Sequence, residues 1–350
     1  MAVKKGRGFK RGKGAVRLML TVRQNLMETI RGGNPDRLVN QYEFMHNIRD
    51  PVMGLVGNPR PGEGTKVNAW GVTYCWEEGW PGQIPVHIPA EKIVIQDMED
   101  WKNYVKRPPV KAPEAAWEPF VADAENVDRN EYFVGAMQIP GMFEQAHSQA
   151  SMEELLCAFY EYPNEVKDLF KWIAEYEMLK ADDVIAHVHP DLLFRHDDWG
   201  SKISTLMSPE IFEEFILPPT KEICDYWRAN GVELIVHHAD CYCATLVPSM
   251  IEAGIDIWQG PLQTNDIPAL IKQYGGQISF MGGIETAELD RDDVTREEIR
   301  EHAEKIIREC GKHYYIPCLT QGGAFSTFPE VYPMTSEVID EISNDIFDEL

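Results

Sequence analysis

Residues 233–260 read ELIVHHADCYCATLVPSMIEAGIDIWQG, and the order of patterns within them points to the fold. The apolar run at 234–236 predicts a buried strand. His237, His238, Asp240, Cys241 and Cys243 follow it within seven residues. Leu246, Val247, Met250 and Ile251 then recur at helical spacing, and Gly254 closes that helix. Residues 255–258 open the next strand. A strand, a ligand-rich turn, a helix and a further strand make one unit of a parallel α/β protein. In such proteins the chemistry sits where strands hand over to helices.

The same alternation extends in both directions. Residues 21–31 predict a helix, ended by Gly32-Gly33-Asn34-Pro35. Residues 37–44 predict the first strand. The Gly- and Pro-rich stretch 50–85 predicts a long loop or hairpin, and 91–107 a helix. Strands are expected at 132–139 and 192–196. Helices are expected at 142–150, 151–162, from 163 onward, and within 208–230. Further strands are expected at 277–281 and 313–316, with Cys318 just beyond the last. Helices are expected at 266–274, 295–309 and 335–349. Seven strands, most followed by a helix, predict a single-domain (β/α)8 barrel with one strand uncounted. No glycine-rich phosphate fingerprint follows an early strand, which disfavours a doubly wound open sheet.

Composition bounds the function. The 350 residues carry a formal charge of −24, which argues against nucleic acid as a partner. Residues 1–17 hold seven basic side chains and no acid, so 1–18 are expected to form a basic disordered tail, with the barrel over 19–350. No run of about 18 apolar residues occurs, so no membrane span is expected. Seven cysteines, odd in number and scattered, point to a reducing, cytoplasmic compartment.

Three constellations carry chemistry. His238 and Asp240 follow one strand and Cys318 another, and barrel closure can bring them together as imidazole, carboxylate and thiolate ligands of a catalytic zinc. His237, Cys241 and Cys243 are alternative ligands. Asp197 and Asp198 end the third strand beside His196. One of these carboxylates is expected to serve the pocket and the other to cap a turn. Glu43, at the end of the first expected strand, is a further catalytic candidate.

The chain resembles the uroporphyrinogen decarboxylase superfamily. The resemblance rests on RQNLMETIRGGNPDR, NAWGVTY, HDDWG with SPEIFEEFILPPTK, HHADCYC with IDIWQG, GGQISFMGGIET and GGAFSTFPEVY. It implies a (β/α)8 barrel with its site at the strand carboxyl ends. Decarboxylases of the superfamily need an arginine-rich segment after the first strand. This chain has QYEFMHNIRD there, with Arg49 the only arginine nearby. The resemblance therefore favours the zinc- and corrinoid-dependent methyltransferase branch, above all the methyltransferase component of anaerobic aryl-ether O-demethylases. Its zinc motif would fall on His238, Asp240 (where a cysteine is usual) and Cys318. A methoxylated aromatic would lie against Trp70, Tyr74, His196 and Trp199, and its methyl group would pass to Co(I) on a partner corrinoid protein. Methyl transfer from a corrinoid to a thiol is the runner-up, a decarboxylase comes third, and a non-catalytic binding protein is the non-enzyme alternative. The reading leaves homodimerisation open.

Overall fold

Seven strands pair side by side, every one parallel to its neighbours, in a curled sheet wrapped by helices. The structure is a computed structural model that describes residues 19–80, 82–323 and 327–348. The basic tail lies outside the described residues. The sheet runs β1 (Met45–Ile48), β5 (Phe133–Gln138), β6 (Leu192–His196), β7 (Leu234–His238), β8 (Ile257–Gln259), β9 (Ser279–Ile284) and β10 (Tyr315–Leu319). A second, antiparallel sheet of β2 (Gly64–Val67), β3 (Thr73–Trp76) and β4 (Ile84–Pro85) is inserted after β1. The long loop or hairpin expected there is thus three short strands, preceded by the short helix α2 (Pro51–Val56). The main helices are α1 (Val22–Ile30), α3 (Glu118–Glu125), α4 (Met142–Ala150), α5 (Met152–Glu161), α6 (Pro163–Val188), α7 (Pro209–Ile211), α8 (Leu217–Ala229), α9 (Val247–Glu252), α10 (Ile267–Tyr274), α11 (Thr286–Leu289), α12 (Arg296–Cys310) and α13 (Val331–Asp348). No helix among the described residues is long and apolar enough to cross a membrane.

Strand alternation divides the core. On β6, Leu192 and Phe194 face the barrel interior while Leu193 faces the helices; on β7, Leu234 and Val236 face in while Ile235 faces out. Each such fully buried side chain contributes about 1.5–3 kcal/mol. Two capping boxes fix helix starts, Thr21 with Gln24 on α1 and Thr295 with Glu298 on α12. Between α7 and α8 the helix widens into a π turn at Phe212–Ile216, just before Pro218 and Pro219, which have no N–H to give to the ladder.

Two sequence expectations are corrected. The first strand is Met45–Ile48 rather than 37–44. Residues 41–44 form a turn that seals the barrel seam instead. The Gln41 N–H donates to the Pro317 carbonyl at 3.2 Å, and the Leu319 N–H donates to Gln41 Oε1 at 3.3 Å. Leu38 and Asn40 are tied to α13 through Ser343, Ser336 and Asp340. The helix expected over 91–107 is replaced by single 3-10 turns at Ala90–Lys92 and Trp101–Asn103. The N–H groups of Val94 and Ile95 both go to the Gln149 carbonyl at the end of α4, so they cannot serve a helical ladder.

Glu43 lies in the sealing turn, where its Oε1 accepts from the Asn40 N–H at 3.0 Å. Burial pushes its carboxyl up from 4.5 to about 7, against the pull of that hydrogen bond and Arg37. The native state thus holds a proton that the unfolded chain releases, and stability falls as pH rises from the unfolded value through about 7. Glu43→Gln keeps the acceptor oxygen without the charge. Its melting temperature is expected to drop less than that of the native chain between about pH 5 and about pH 8. Parallel curves would remove the assignment.

Candidate active site

The carboxyl ends of β6, β7 and β8 place three polar side chains in one row. His196 pairs in register with His238, and His238 with Gln259. All three continue the inward-facing series of Phe194, Val236 and Ile257, one layer higher. Above them opens a cavity of about 760 Å³. Its wall includes Tyr42, Met45, Met137, Ile139, Phe194 and Tyr332, with Trp80 and Ile84 contributed by the inserted sheet. His196, Asp198, His238 and Asp240 are the ionisable side chains at its floor.

Ligand atoms of His196, Asp198 and His238 all lie within 4.8 Å of one another, a set that can hold a metal ion. His238 Nδ1 is hydrogen-bonded to Gln259 Oε1. That acceptor places the proton on Nδ1 and leaves the Nε2 lone pair free. His196 Nε2 lies 3.3 Å from Asp198 Oδ2 and 3.7 Å from Glu144 Oε1. The two imidazoles meet edge to face at 4.5 Å.

The electrostatics push the two histidines apart. Burial opposes charge on His196, but Glu144, Asp198 and Asp240 outweigh it and raise the imidazole to about 10. Burial and the neighbouring His196 charge lower His238 to about 4, so it stays neutral. Asp240 is raised to about 7, by burial and then by Asp198. Asp198 is held low despite its burial, because His196 donates to it and carries charge. A neutral imidazole beside a carboxylate and an imidazolium is a donor set that a divalent cation can enter by displacing one proton.

Asp197 points the opposite way. Its carboxylate is fully buried and accepts from the N–H groups of Phe143 at 3.0 Å and Glu144 at 2.9 Å. Gly141, at the N-cap of α4, has no side chain to do this, so the residue just after β6 caps the helix across space. Asp198 thus lines the cavity, while Asp197, expected in the pocket or as a cap on the turn that follows it, caps α4 instead.

The remaining candidates fall around this centre. Cys318 lies within β10 rather than beyond it, facing the barrel interior. Gln259 stands between it and His238, with Nε2 at 4.0 Å from Cys318 Sγ and Oε1 on the imidazole. Burial pushes the Cys318 thiol well up. Trp70 packs edge to face on Trp172 and Tyr176, and the Tyr74 hydroxyl donates to Ser148 Oγ, so both anchor the inserted sheet to α4 and α6 and stay off the cavity wall. Trp199 is buried and stacked on His237 at 4.0 Å, behind the sheet. Glu43 also lies off the wall, because β1 starts late and Tyr42 takes the inward position. Two residues of the site escaped the sequence reading, Gln259 and Glu144. Gln259 had a signal: in IDIWQ it falls two residues after Ile257, on the same face.

The uroporphyrinogen decarboxylase (URO-D) family model matches residues 137–341. Among solved structures, a methyltransferase from Methanosarcina mazei superposes with a TM-score of 0.64 over 92% of this chain and 99% of that chain, at 13% identity. That likeness concerns the fold. A putative fructose-1,6-biphosphate aldolase from Coccidioides immitis reaches a TM-score of only 0.28 over 62% of this chain and 78% of its own, at 11% identity, and carries no argument. No curated protein matches the chain. The family match takes in β6 to β10 and every residue of the His196, His238 and Gln259 row, and the chain belongs to the uroporphyrinogen decarboxylase family.

Proposed function

We propose that this protein is a zinc-dependent methyltransferase that moves the methyl group of a methoxylated aromatic to the Co(I) of a corrinoid protein. The observation that carries the reading is the character of the cavity. Its described lining contains no arginine or lysine, while Asp198 and Asp240 are among its polar groups. A porphyrinogen bears many carboxylates and would meet repulsion from Asp198 and Asp240 there, while the His196 imidazolium is already paired with Asp198 and Glu144. A small aromatic ether suits the mostly apolar wall, and Tyr42, Trp80, Phe194 and Tyr332 supply ring faces and edges. The fold shared with a methyltransferase supports the same choice.

His238, His196 and Asp198 would hold the metal, with Asp240 beside them and Cys318 behind Gln259. Bound there, zinc supplies Lewis acidity toward an ether oxygen. The protein's own tasks are positional. Gln259 fixes the His238 tautomer. The aromatic wall orients the ring and excludes water, so that the methyl group faces the entering cobalt in line. Asp240 is the cavity carboxyl left to hand a proton to the departing phenolate oxygen.

The test is incubation of the purified protein, loaded with zinc, with a methoxyphenol and a Co(I) corrinoid protein. Release of the phenol together with a methylcobalt absorption supports the reading. Methyl transfer to a thiol with no ether cleavage, or decarboxylation of a porphyrinogen, overturns it. Gln259→Leu checks the supporting shell: zinc affinity is expected to fall about 10–100-fold in a chelator competition, with the fold intact.

A further inference from the structure

Cys241 and Cys243 lie on the turn after β7 with their sulfurs 3.3 Å apart, inside ordinary sulfur contact. Neither thiol belongs to the His196, Asp198 and His238 cluster. Both are buried, at 4% and 0% exposure, so Cys241 is the one a very small reagent meets first. Their backbone is clamped. Asn265 Oδ1 accepts from the Cys243 N–H at 2.8 Å, and Asn265 Nδ2 donates to the Cys241 carbonyl at 3.0 Å. Gly200 backs directly onto the turn: a Cβ there would lie 2.3 Å from the Tyr242 carbonyl and 3.2 Å from Cys241 Sγ.

The Cys241 thiol also donates, at 4.0 Å, to Asp198 Oδ1, the same oxygen that accepts from the Asp240 N–H at 3.1 Å. The other oxygen of that carboxylate is the one bonded to His196. We propose that Cys241 and Cys243 are a peroxide-sensitive dithiol, and that their oxidation to a disulfide frees Asp198 on one side and re-aims His196 on the other.

The chemistry balances. Cys241 sulfur attacks hydrogen peroxide, the O–O bond breaks, and the thiol proton leaves with the displaced oxygen as water, giving a sulfenic acid. Cys243 sulfur then attacks that sulfur, the S–O bond breaks, and its proton leaves with the hydroxyl as a second water. Two thiols are oxidised and one peroxide is reduced. A disulfide spans about 2.05 Å, so the sulfurs must close by about 1.2 Å. With the backbone clamped by Asn265, side-chain rotation carries the closure. The product has no S–H to give to Asp198. The inference stands on this geometry and needs neither zinc nor the proposed reaction.

The experiment uses the full chain, reduced and free of added metal, titrated with hydrogen peroxide. Peptide mapping reads the link, and the side-chain nitrogen resonances of the histidines read the consequence. The expected result is loss of two of the seven free thiols to a Cys241–Cys243 link, restored by dithiothreitol. The His196 signal shifts with the link. The signal of His313, bonded to the Gly33 carbonyl, stays in place. In Cys241→Ser the link cannot form and the hydroxyl facing Asp198 is not oxidised by peroxide, so the His196 signal keeps its position through the same titration. Oxidation of the exposed Cys157 while this pair stays reduced would overturn the proposal. So would a link that leaves His196 unmoved.

Discussion

Replacing His238 by alanine is expected to strip the protein of metal while leaving it folded. The native chain, equilibrated with zinc and desalted, should retain about one ion, and the variant less than a tenth of that. The expectation follows from the position of the imidazole. His238 is neutral, has its Nδ1 proton committed to Gln259, and turns Nε2 toward His196 and Asp198. Among the described residues, no other neutral imidazole joins that set. If the proposed function holds, the same variant should also lose methyl transfer, because nothing would then polarise the ether. Elemental analysis decides the matter before any assay is needed. Full zinc retention in the variant would move the site elsewhere, and Cys318→Ala would be the next substitution to measure.

Gly141→Ala should damage the same site from the other side. A Cβ at Gly141 would fall 2.3 Å from Asp197 Cβ, 2.4 Å from Asp197 Cγ and 2.6 Å from the His196 carbonyl. None of these atoms is the far end of a flexible chain. Either the end of β6 or the start of α4 must shift, at a cost of about 1–3 kcal/mol from overpacking. The shift also pulls Asp197 from the Phe143 and Glu144 N–H groups, which adds about 0.5–2 kcal/mol for the lost cap. Since His196 is the neighbour of Asp197, metal retention should fall with stability. Gly54→Ala is the control. A Cβ there meets nothing within 4 Å, and its place within α2 favours alanine by about 0.5–1 kcal/mol. Urea unfolding of the two variants should therefore move in opposite directions.

The barrel was legible because its strands are short apolar runs between breakers. Residues 192–196 came out to the residue, with apolar Leu192, Leu193 and Phe194 closed by charged groups. The first strand was misplaced because the apolar and aromatic residues of 37–44 pack as a turn, and β1 itself, MHNI, is too polar to announce a buried strand. The helix expected at 91–107 failed because Gln149, far along the chain, takes its N–H groups. At the site, His238, Asp198 and His196 drew notice because strand ends concentrate chemistry, but of the three only His238 was expected as a metal ligand, with Asp240 and Cys318, where the structure groups His238 with His196 and Asp198. Trp70, Tyr74 and Trp199 were misjudged because an aromatic in a loop reads the same whether it lines a cavity or anchors an insert. Gln259 was passed over because one glutamine after a strand looks like a boundary. Its role shows only when the register sets it beside His238.

The seam has a consequence for synthesis. The turn at Gln41 bonds to Pro317 and Leu319, and Leu38 bonds to Ser343, 305 residues away along the chain. A ribosome emits residues 38–48 long before their partners Pro317, Leu319 and Ser343. Among the described residues β1 pairs with β5 alone, and until β10 arrives the Gln41 turn beside its other edge lacks the partners that hold it there. Pairings of such sequence separation form slowly, and an unpaired strand edge is a template for other chains. Nascent copies of this protein therefore carry an adhesive border throughout the synthesis of residues 49–314, and slowing elongation before β10 should raise the share that aggregates.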